Sequence, residues 1–322
     1  MKAVRLNGLL AIGLVAAMLL SLAAGKVWVA PSTWWNDDLS GLIIMELRIP
    51  RMILGAAIGA GLGMAGAAMQ GYLRNPLADP GVFGVSSSAA LGAVTSLYFG
   101  FAMTAWLLPV FALIGAGVGM GMLALLAGRS GSLILFTLAG VIIASLAGSL
   151  TSLMISLAPT PFATTEIVTW LMGALTDRSW DDVKLAVPLI VIGMVFLMAT
   201  GRSLDALTLG EDAARSMGVN VLRLQWLAVI GVGLTVGASV AAAGIIGFVG
   251  LIVPHLVRPF AGHRPSAVMM PSALAGALLI VVADSMVRIL PSVSELRLGI
   301  AMALLGAPFF MVLLFKMHRE LS

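Results

Sequence analysis

The feature that most constrains this chain is a series of long runs without a charged residue. A helix needs about 20 apolar residues to cross the hydrocarbon core of a bilayer, and a charge placed there is costly. Only 10% of the 322 residues are charged and 60% are hydrophobic, a balance that would make a soluble protein aggregate. The sequence therefore predicts an all-α, polytopic membrane protein. The charge-free runs are 6–25, 52–73, 80–128, 130–165, 185–201, 224–254, 265–283 and 298–315.

Two of these runs are long enough to hold two helices each. The run at 80–128 would turn near Gly100, and the run at 224–254 would turn near Gly244. The run at 130–165 predicts one long helix followed by a loop that contains Pro159 and Pro161. The sequence thus predicts about ten transmembrane helices in a single membrane domain over residues 1–322.

The first run also has features of a cleaved signal peptide. Lys2 and Arg5 precede it, and small residues near Ala23 resemble a cleavage site. Its apolar stretch is longer than the roughly 7–15 residues that are typical of a signal peptide. We therefore expect the run to be the first transmembrane helix.

The distribution of basic residues predicts the orientation. Ten spans place both termini on one side, and that side then carries eleven of the 18 lysines and arginines. Lysine and arginine are enriched in short cytoplasmic loops. Both termini are therefore predicted in the cytoplasm.

The polar residues do not suggest an enzyme, a metal site or a cofactor site. The chain has no cysteine, no P-loop motif, and histidines only at separate positions. Its net charge of +4 gives no indication of nucleic-acid binding. Two alternatives come from other classes: a structural or assembly membrane protein, and an ion-coupled secondary transporter, which usually keeps carboxylates within its spans. Asp284 comes closest, near the predicted outer end of a span, so the energy for transport is expected to come from another protein.

Glycines at helical spacing predict close packing between helices. A spacing of four residues separates Gly55, Gly59 and Gly63 in turn. The same spacing occurs in the pairs Gly115/Gly119 and Gly117/Gly121. Small residues on one face let helices approach backbone to backbone in lipid.

The largest predicted cytoplasmic loop covers about 203–223, and we call it the coupling segment. Gly210 and Gly218 divide it into two predicted short helices, and Gly218 suits a helix C-cap. Glu211 lies four residues before Arg215, a spacing that favours an ion pair. Apolar residues, Leu209 and Met217 among them, predict a face for a soluble partner. The alternative is an amphipathic surface loop.

Eight motifs occur in a fixed order from residue 47 to residue 310, and together they resemble the FecCD-type permeases of type II ABC importers. They are LRIPR (47–51), GAAMQG (66–71), RNPLADP (74–80), GVSS (84–87), LGEDAARSMGV (209–219), GFVGLIVPHLVR (247–258), GHR (262–264) and LGAPFF (305–310).

This resemblance implies a permease with ten helices per subunit in the bacterial inner membrane. It implies a pore made by two permease copies, or by one copy and a close paralogue, with two ABC ATPase subunits below and a periplasmic substrate-binding protein above. The cargo would be a bulky metal chelate: a ferric siderophore first, then haem, then cobalamin. The permease itself would not be an enzyme. No gate residue is assigned in the region 130–137, which lies near the pore between two predicted spans.

The resemblance also implies two sets of site residues. Arg48, Arg51 and Arg288 would form ion pairs with acidic residues of the binding protein, the alternative being that they anchor helix ends at the lipid headgroups. The residues expected to couple the permease to the ATPase are Asp205, Leu209, Gly210, Glu211, Asp212, Ala213, Ala214, Arg215, Ser216, Met217, Gly218 and Val219.

Overall fold

The computed structural model describes residues 2–36, 38–101, 104, 106–127, 133–291 and 295–321, and these form twelve helices. Arg129 and the first part of the 130–137 region lie outside the described residues. The helices are α1 (Lys2–Ala23), α2 (Leu39–Tyr72, with a π-helical stretch at Ile43–Arg48), α3 (Val85–Tyr98), α4 (Leu107–Ala127), α5 (Leu133–Ser156), α6 (Pro161–Leu171), α7 (Trp180–Leu207), α8 (Glu211–Ser216), α9 (Val221–Ala243), α10 (Val249–Ala261), α11 (Pro265–Ile289) and α12 (Leu298–Leu321).

Ten of the twelve helices correspond one to one with the predicted spans, which confirms the predicted fold class. Among the described residues, seven helices are long and apolar enough to cross a membrane, and α10 and Leu298–Leu313 of α12 are shorter apolar helices. The turns that split the runs at 80–128 and 224–254 occur where they were expected. Gly100 and Gly244 both have a left-handed φ, of 73° and 71°, which favours glycine.

The two additional helices, α6 and α8, are short. The loop predicted to contain Pro159 and Pro161 is shorter than expected, because Pro161 begins α6. A proline is well tolerated at the first position of a helix. The side chain of Thr160 caps the same helix by accepting a hydrogen bond from the Ala163 N–H.

Helices α2 and α11 extend past the charge-free runs that predicted them. The run for α2 started after Arg51, but the helix begins at Leu39, where the Asp38 side chain caps it. The run for α11 ended before Asp284, but the helix continues to Ile289. Arg51 and Asp284 form an ion pair with each other. The pair lies towards the ends of the two helices, and pairing makes both charges tolerable there.

The centre of the bundle is formed by α2 and α9, which are buried along most of their length. Helix α2 packs against α7, α10 and α11, and α9 packs against α4 and α7. Helix α1 packs against α11 through Ala17 and is therefore part of the bundle.

Glycines allow α2 to approach its neighbours at backbone distance. A Cβ at Gly59 would collide with the Gly276 carbonyl of α11, and one at Gly66 would collide with the Gly250 carbonyl of α10. Gly115 contacts α3 in the same way, whereas Gly117 and Gly121 face open space. The glycine pattern therefore marks real helix contacts for α2 and for one face of α4.

Candidate functional site

The coupling segment contains one short helix, not the two that were predicted. Residues 204–207 form the last turn of α7, because no glycine or proline lies between Gly201 and Gly210 and the buried side chains of Leu204 and Leu207 keep the turn packed. Helix α8 follows after Thr208, Leu209 and Gly210. The segment is thus a rigid continuation of α7 that turns sharply into α8.

Helix α8 ends in a Schellman motif, as the glycine at position 218 suggested. The Gly218 N–H donates to the Arg215 carbonyl (2.9 Å) and the Val219 N–H donates to the Ala214 carbonyl (3.0 Å). Gly218 has a φ of 85°, and Gly210 at the other end has a φ of 105°. The Arg215 and Glu211 side chains form the expected ion pair, with Nη2 and Oε1 2.7 Å apart.

The apolar residues of the coupling segment divide between two directions. Leu207 and Ala214 are buried against the rest of the chain. Leu209 and Met217 are exposed, at 67% and 63% of their surface, and Ala213 is partly exposed. Leu209 and Met217 therefore leave a small apolar surface uncovered in the described chain. The charged residues Asp212 and Arg215 belong to helix α8.

Asp205 does not face outward with the other residues of the coupling segment. It is partly buried, and both of its carboxylate oxygens bind Ser266 at the start of α11. Oδ1 accepts from the Ser266 N–H at 2.9 Å, and Oδ2 accepts from the Ser266 hydroxyl at 2.5 Å. The sequence did not indicate this partner, which lies 61 residues further along the chain.

The three arginines at the predicted outer end are buried and have partners within the chain. Arg48, Arg51 and Arg288 are 8%, 9% and 5% exposed, and together with Asp284 and Glu295 they form what we call the arginine cluster. Arg48 donates from Nη1 to the Leu22 and Ala23 carbonyls (2.6 and 2.8 Å) and from Nη2 to the Val27 carbonyl (2.5 Å). It therefore holds the end of α1.

Arg51 and Arg288 share the carboxylate of Asp284. Arg51 donates from Nε and Nη2 to Asp284 in a forked arrangement, at 2.9–3.1 Å. Arg288 Nε forms an ion pair with Asp284 Oδ2 at 3.2 Å, and Arg288 Nη2 donates to the hydroxyl of Ser21. Forked arginine–carboxylate pairs are among the strongest polar contacts in proteins. The cluster thus links α1, α2 and α11.

Glu295 completes the cluster from the link between α11 and α12. Its Oε2 accepts from Arg51 Nη2 at 2.8 Å and from the Thr176 hydroxyl at 3.1 Å. Partial burial raises the pKa of Glu295, but the hydrogen bond and charge of Arg51 outweigh this effect and hold the pKa below its ordinary value. Among the described residues the cluster contains three guanidinium groups and two carboxylates.

Residues of two of the sequence motifs meet at the predicted cytoplasmic end, a contact that their spacing in the sequence does not indicate. Arg258 Nη2 donates to Gln70 Oε1 at 2.7 Å, and Gln70 Nε2 donates to the Leu251 carbonyl at 3.2 Å. Gln70 belongs to GAAMQG and the other two residues belong to GFVGLIVPHLVR. The buried amide of Gln70 therefore fastens α10 to α2.

Comparison with known proteins supplies the family. A model of the FecCD transport family matches residues 13–316. Over 313 residues the chain is 37% identical to the Fe(3+) dicitrate transport system permease protein FecD of Escherichia coli (strain K12), covering 95% of this chain and 97% of that protein. Over 314 residues it is 36% identical to the vitamin B12 import system permease protein BtuC of Vibrio cholerae serotype O1, covering 96% and 93%.

A solved structure agrees with these sequence matches. It is described as an inward-facing conformation of a metal-chelate type ABC transporter, and it superimposes with a TM-score of 0.89 at 31% identity. The superposition covers 97% of this chain and 99% of that one. With its helices, motifs and relatives in agreement, the chain belongs to the FecCD transport family.

Proposed function

We propose that this chain is the membrane-spanning permease subunit of an ATP-driven ABC importer, which carries a bulky metal chelate into the cytoplasm. Residues 1–322 would form one membrane domain in the bacterial inner membrane, with both termini in the cytoplasm. The observation that carries the proposal is that the likeness to a metal-chelate type ABC transporter extends over 97% of the chain.

ATP hydrolysis would take place on separate ATPase subunits, because this chain has no P-loop motif. The coupling segment is suited to dock on them. Helix α8 is held in one conformation by its Schellman motif, and it presents the exposed side chains of Leu209 and Met217. A preordered apolar surface loses little entropy on binding, so it suits a partner that must be engaged in every transport cycle.

The arginine cluster is our candidate for the docking site of a periplasmic binding protein. Its excess of one positive charge among the described residues favours an acidic partner. The side chain of Glu295 is 21% exposed and that of Arg51 is 10% exposed, so an acidic partner would have to compete with Glu295 for the Arg51 guanidinium. The competing role is purely internal: the cluster holds the ends of α1, α2 and α11 together.

Ferric siderophores are our first choice of cargo, with haem and cobalamin as alternatives. One relative is named for Fe(3+) dicitrate and another for vitamin B12, and their identities to this chain, 37% and 36%, do not separate the two. The selectivity is expected to lie mainly in the binding protein. All three cargoes would pass through a pore between two copies of this chain, or between this chain and a close paralogue.

The proposal is tested by reconstituting the purified chain into vesicles with its cognate ATPase and binding protein. We expect ATP-dependent uptake of one labelled cargo, measured separately for a ferric siderophore, haem and cobalamin. Vesicles without the ATPase serve as the control. Uptake that continues there on an ion gradient would contradict the proposal and favour a secondary transporter. A mass measurement that finds one permease chain per complex would contradict the paired pore.

A further inference from the structure

Helix α11 starts without a cap of its own. Its N-cap residue, Arg264, has an extended backbone (φ −72°, ψ 127°), and its side chain makes no capping hydrogen bond within the described part of the chain. The next residue, Pro265, has no N–H to donate. The Ser266 N–H is therefore the first donor at this helix end, where amide groups lack a partner within the helix.

Asp205 of α7 supplies the missing cap from another helix. Its carboxylate accepts both the Ser266 N–H and the Ser266 hydroxyl, at 2.9 and 2.5 Å. An acidic side chain at a helix N-terminus also interacts favourably with the helix dipole. The contact continues one turn earlier in α7, where a Cβ at Gly201 would lie 3.2 Å from the Ser266 Cβ. Two successive turns of α7 thus contact the start of α11.

Asp205 is itself held rigidly next to the coupling helix. The Thr208 hydroxyl donates to the Asp205 carbonyl at 2.7 Å, which closes the last turn of α7. The neighbouring side chains of Leu204 and Leu207 are buried. Only three residues separate this turn from α8. A displacement of α8 would therefore move the Asp205 carboxylate with it.

The opposite end of α11 carries Asp284 and Arg288. These residues bind Arg51 of α2 and Ser21 of α1 in the arginine cluster. Helix α11 has 25 residues and is about 37 Å long at 1.5 Å per residue. One continuous helix is thus tied by ionised side chains at both ends, to the coupling segment at one end and to the candidate docking site at the other.

We propose that Asp205 is a positioning residue that ties the coupling segment to α11 and so links α8 to the arginine cluster. The inference rests on the proposed function, because it takes α8 to be moved by the ATPase. It changes the expectation for Asp205, which was grouped with residues that contact the ATPase. Both of its carboxylate oxygens are engaged inside the subunit, so its effect on the ATPase would pass through α7 and α11.

The test distinguishes two roles of Asp205: linking α7 to α11, and capping the start of α11. Asp205→Ala removes both, whereas adding Arg264→Ser restores a cap from within α11, since serine is a favoured N-cap residue. In the reconstituted complex, we expect Asp205→Ala to lower cargo uptake per ATP hydrolysed about tenfold, within the 5- to 150-fold range of typical allosteric couplings. The double variant should recover thermal stability and keep the low uptake per ATP.

Two results would overturn the inference. The first is a double variant whose uptake per ATP equals that of Arg264→Ser alone, which would make Asp205 a cap and nothing more. The second is an Asp205→Ala variant with normal uptake per ATP. Asp181→Ala is the matched control, because this acid lies in the first turn of the same helix and its side chain is 90% exposed. If the wild-type complex shows no ATP-dependent uptake, the proposed function fails independently of Asp205.

Discussion

The two candidate sites of this permease use charge in opposite ways. In the arginine cluster, five ionised side chains are mostly buried and bind one another or backbone carbonyls across α1, α2 and α11. In the coupling segment, the charged pair Glu211–Arg215 is local and exposed, and helix α8 is held by backbone hydrogen bonds. A buried charge network is sensitive to the loss of any member, whereas a local exposed pair contributes little. The two sites should therefore respond very differently to mutation.

The largest effect is expected for Asp284→Ala. This change leaves the buried guanidinium groups of Arg51 and Arg288 without their shared carboxylate. Breaking a buried ion pair by removing one partner costs about 3–5 kcal/mol. We expect a large fall in the thermal unfolding midpoint of the detergent-solubilised protein, followed by tryptophan fluorescence. Asp181→Ala, which removes an exposed pair with Lys184, is the control and should leave the midpoint almost unchanged. Equal midpoints for the two variants would mean that the arginine cluster does not hold the fold.

Arg48→Met should have the next largest effect. The change removes three hydrogen bonds to carbonyls at and after the end of α1 and keeps a side chain of similar length. Hydrogen bonds that involve a charged group contribute about 1.5–3 kcal/mol, so we expect a loss of about 2 kcal/mol in the free energy of unfolding. If Arg48 also attracts the binding protein, docking affinity should fall and become less sensitive to ionic strength. An unchanged salt dependence would restrict Arg48 to its internal role.

Gly218→Val should have a smaller effect on stability and a specific effect on coupling. The left-handed backbone at this position costs a residue with a Cβ about 1–2 kcal/mol, although the space around it is open. We expect the end of α8 to rearrange and cargo uptake per ATP to fall. Gly218→Asn is the matched control, because asparagine tolerates this conformation better than valine. Normal uptake by the valine variant would mean that the coupling segment is only a surface loop.

The smallest effect is expected for Glu211→Gln. The exposed pair with Arg215 is worth about 0.2–0.5 kcal/mol as an i, i+4 contact, so the unfolding midpoint should hardly change. The informative measurement is the affinity of the permease for its ATPase. A loss of affinity without a loss of stability would show that Glu211 contacts the partner directly, and this would weaken the contrast between the two sites.

The helices were largely predictable because hydrophobicity and charge are local properties of the sequence. Long apolar runs located the ten helices that correspond to the predicted spans, and Gly100 and Gly244 located two turns. The ends of α2 and α11 were missed because Arg51 and Asp284 each look costly alone, and their pairing depends on two helices that are distant in sequence. The separate helix predicted before Gly210 was wrong because burial of Leu204 and Leu207 keeps that stretch within α7.

The functional residues were predictable only as far as local motifs allow. The Schellman end of α8 follows from one glycine and its neighbours. The contact between Asp205 and Ser266 and the contact between Gln70 and Arg258 connect residues 61 and 188 positions apart. No spacing rule relates such pairs, since their meeting is decided by the packing of whole helices.

The backbone contacts of α2 restrict how this subunit can move. At Gly59 and Gly66 the chain meets α11 and α10 with no side chain between them. Side chains can change rotamer to absorb a displacement, but two backbones in direct contact cannot. Helices α2, α10 and α11 should therefore turn as one rigid body during a transport cycle. Gly117 and Gly121 of α4 make no such backbone contact within the described chain, so α4 is less restricted than α2 on that face.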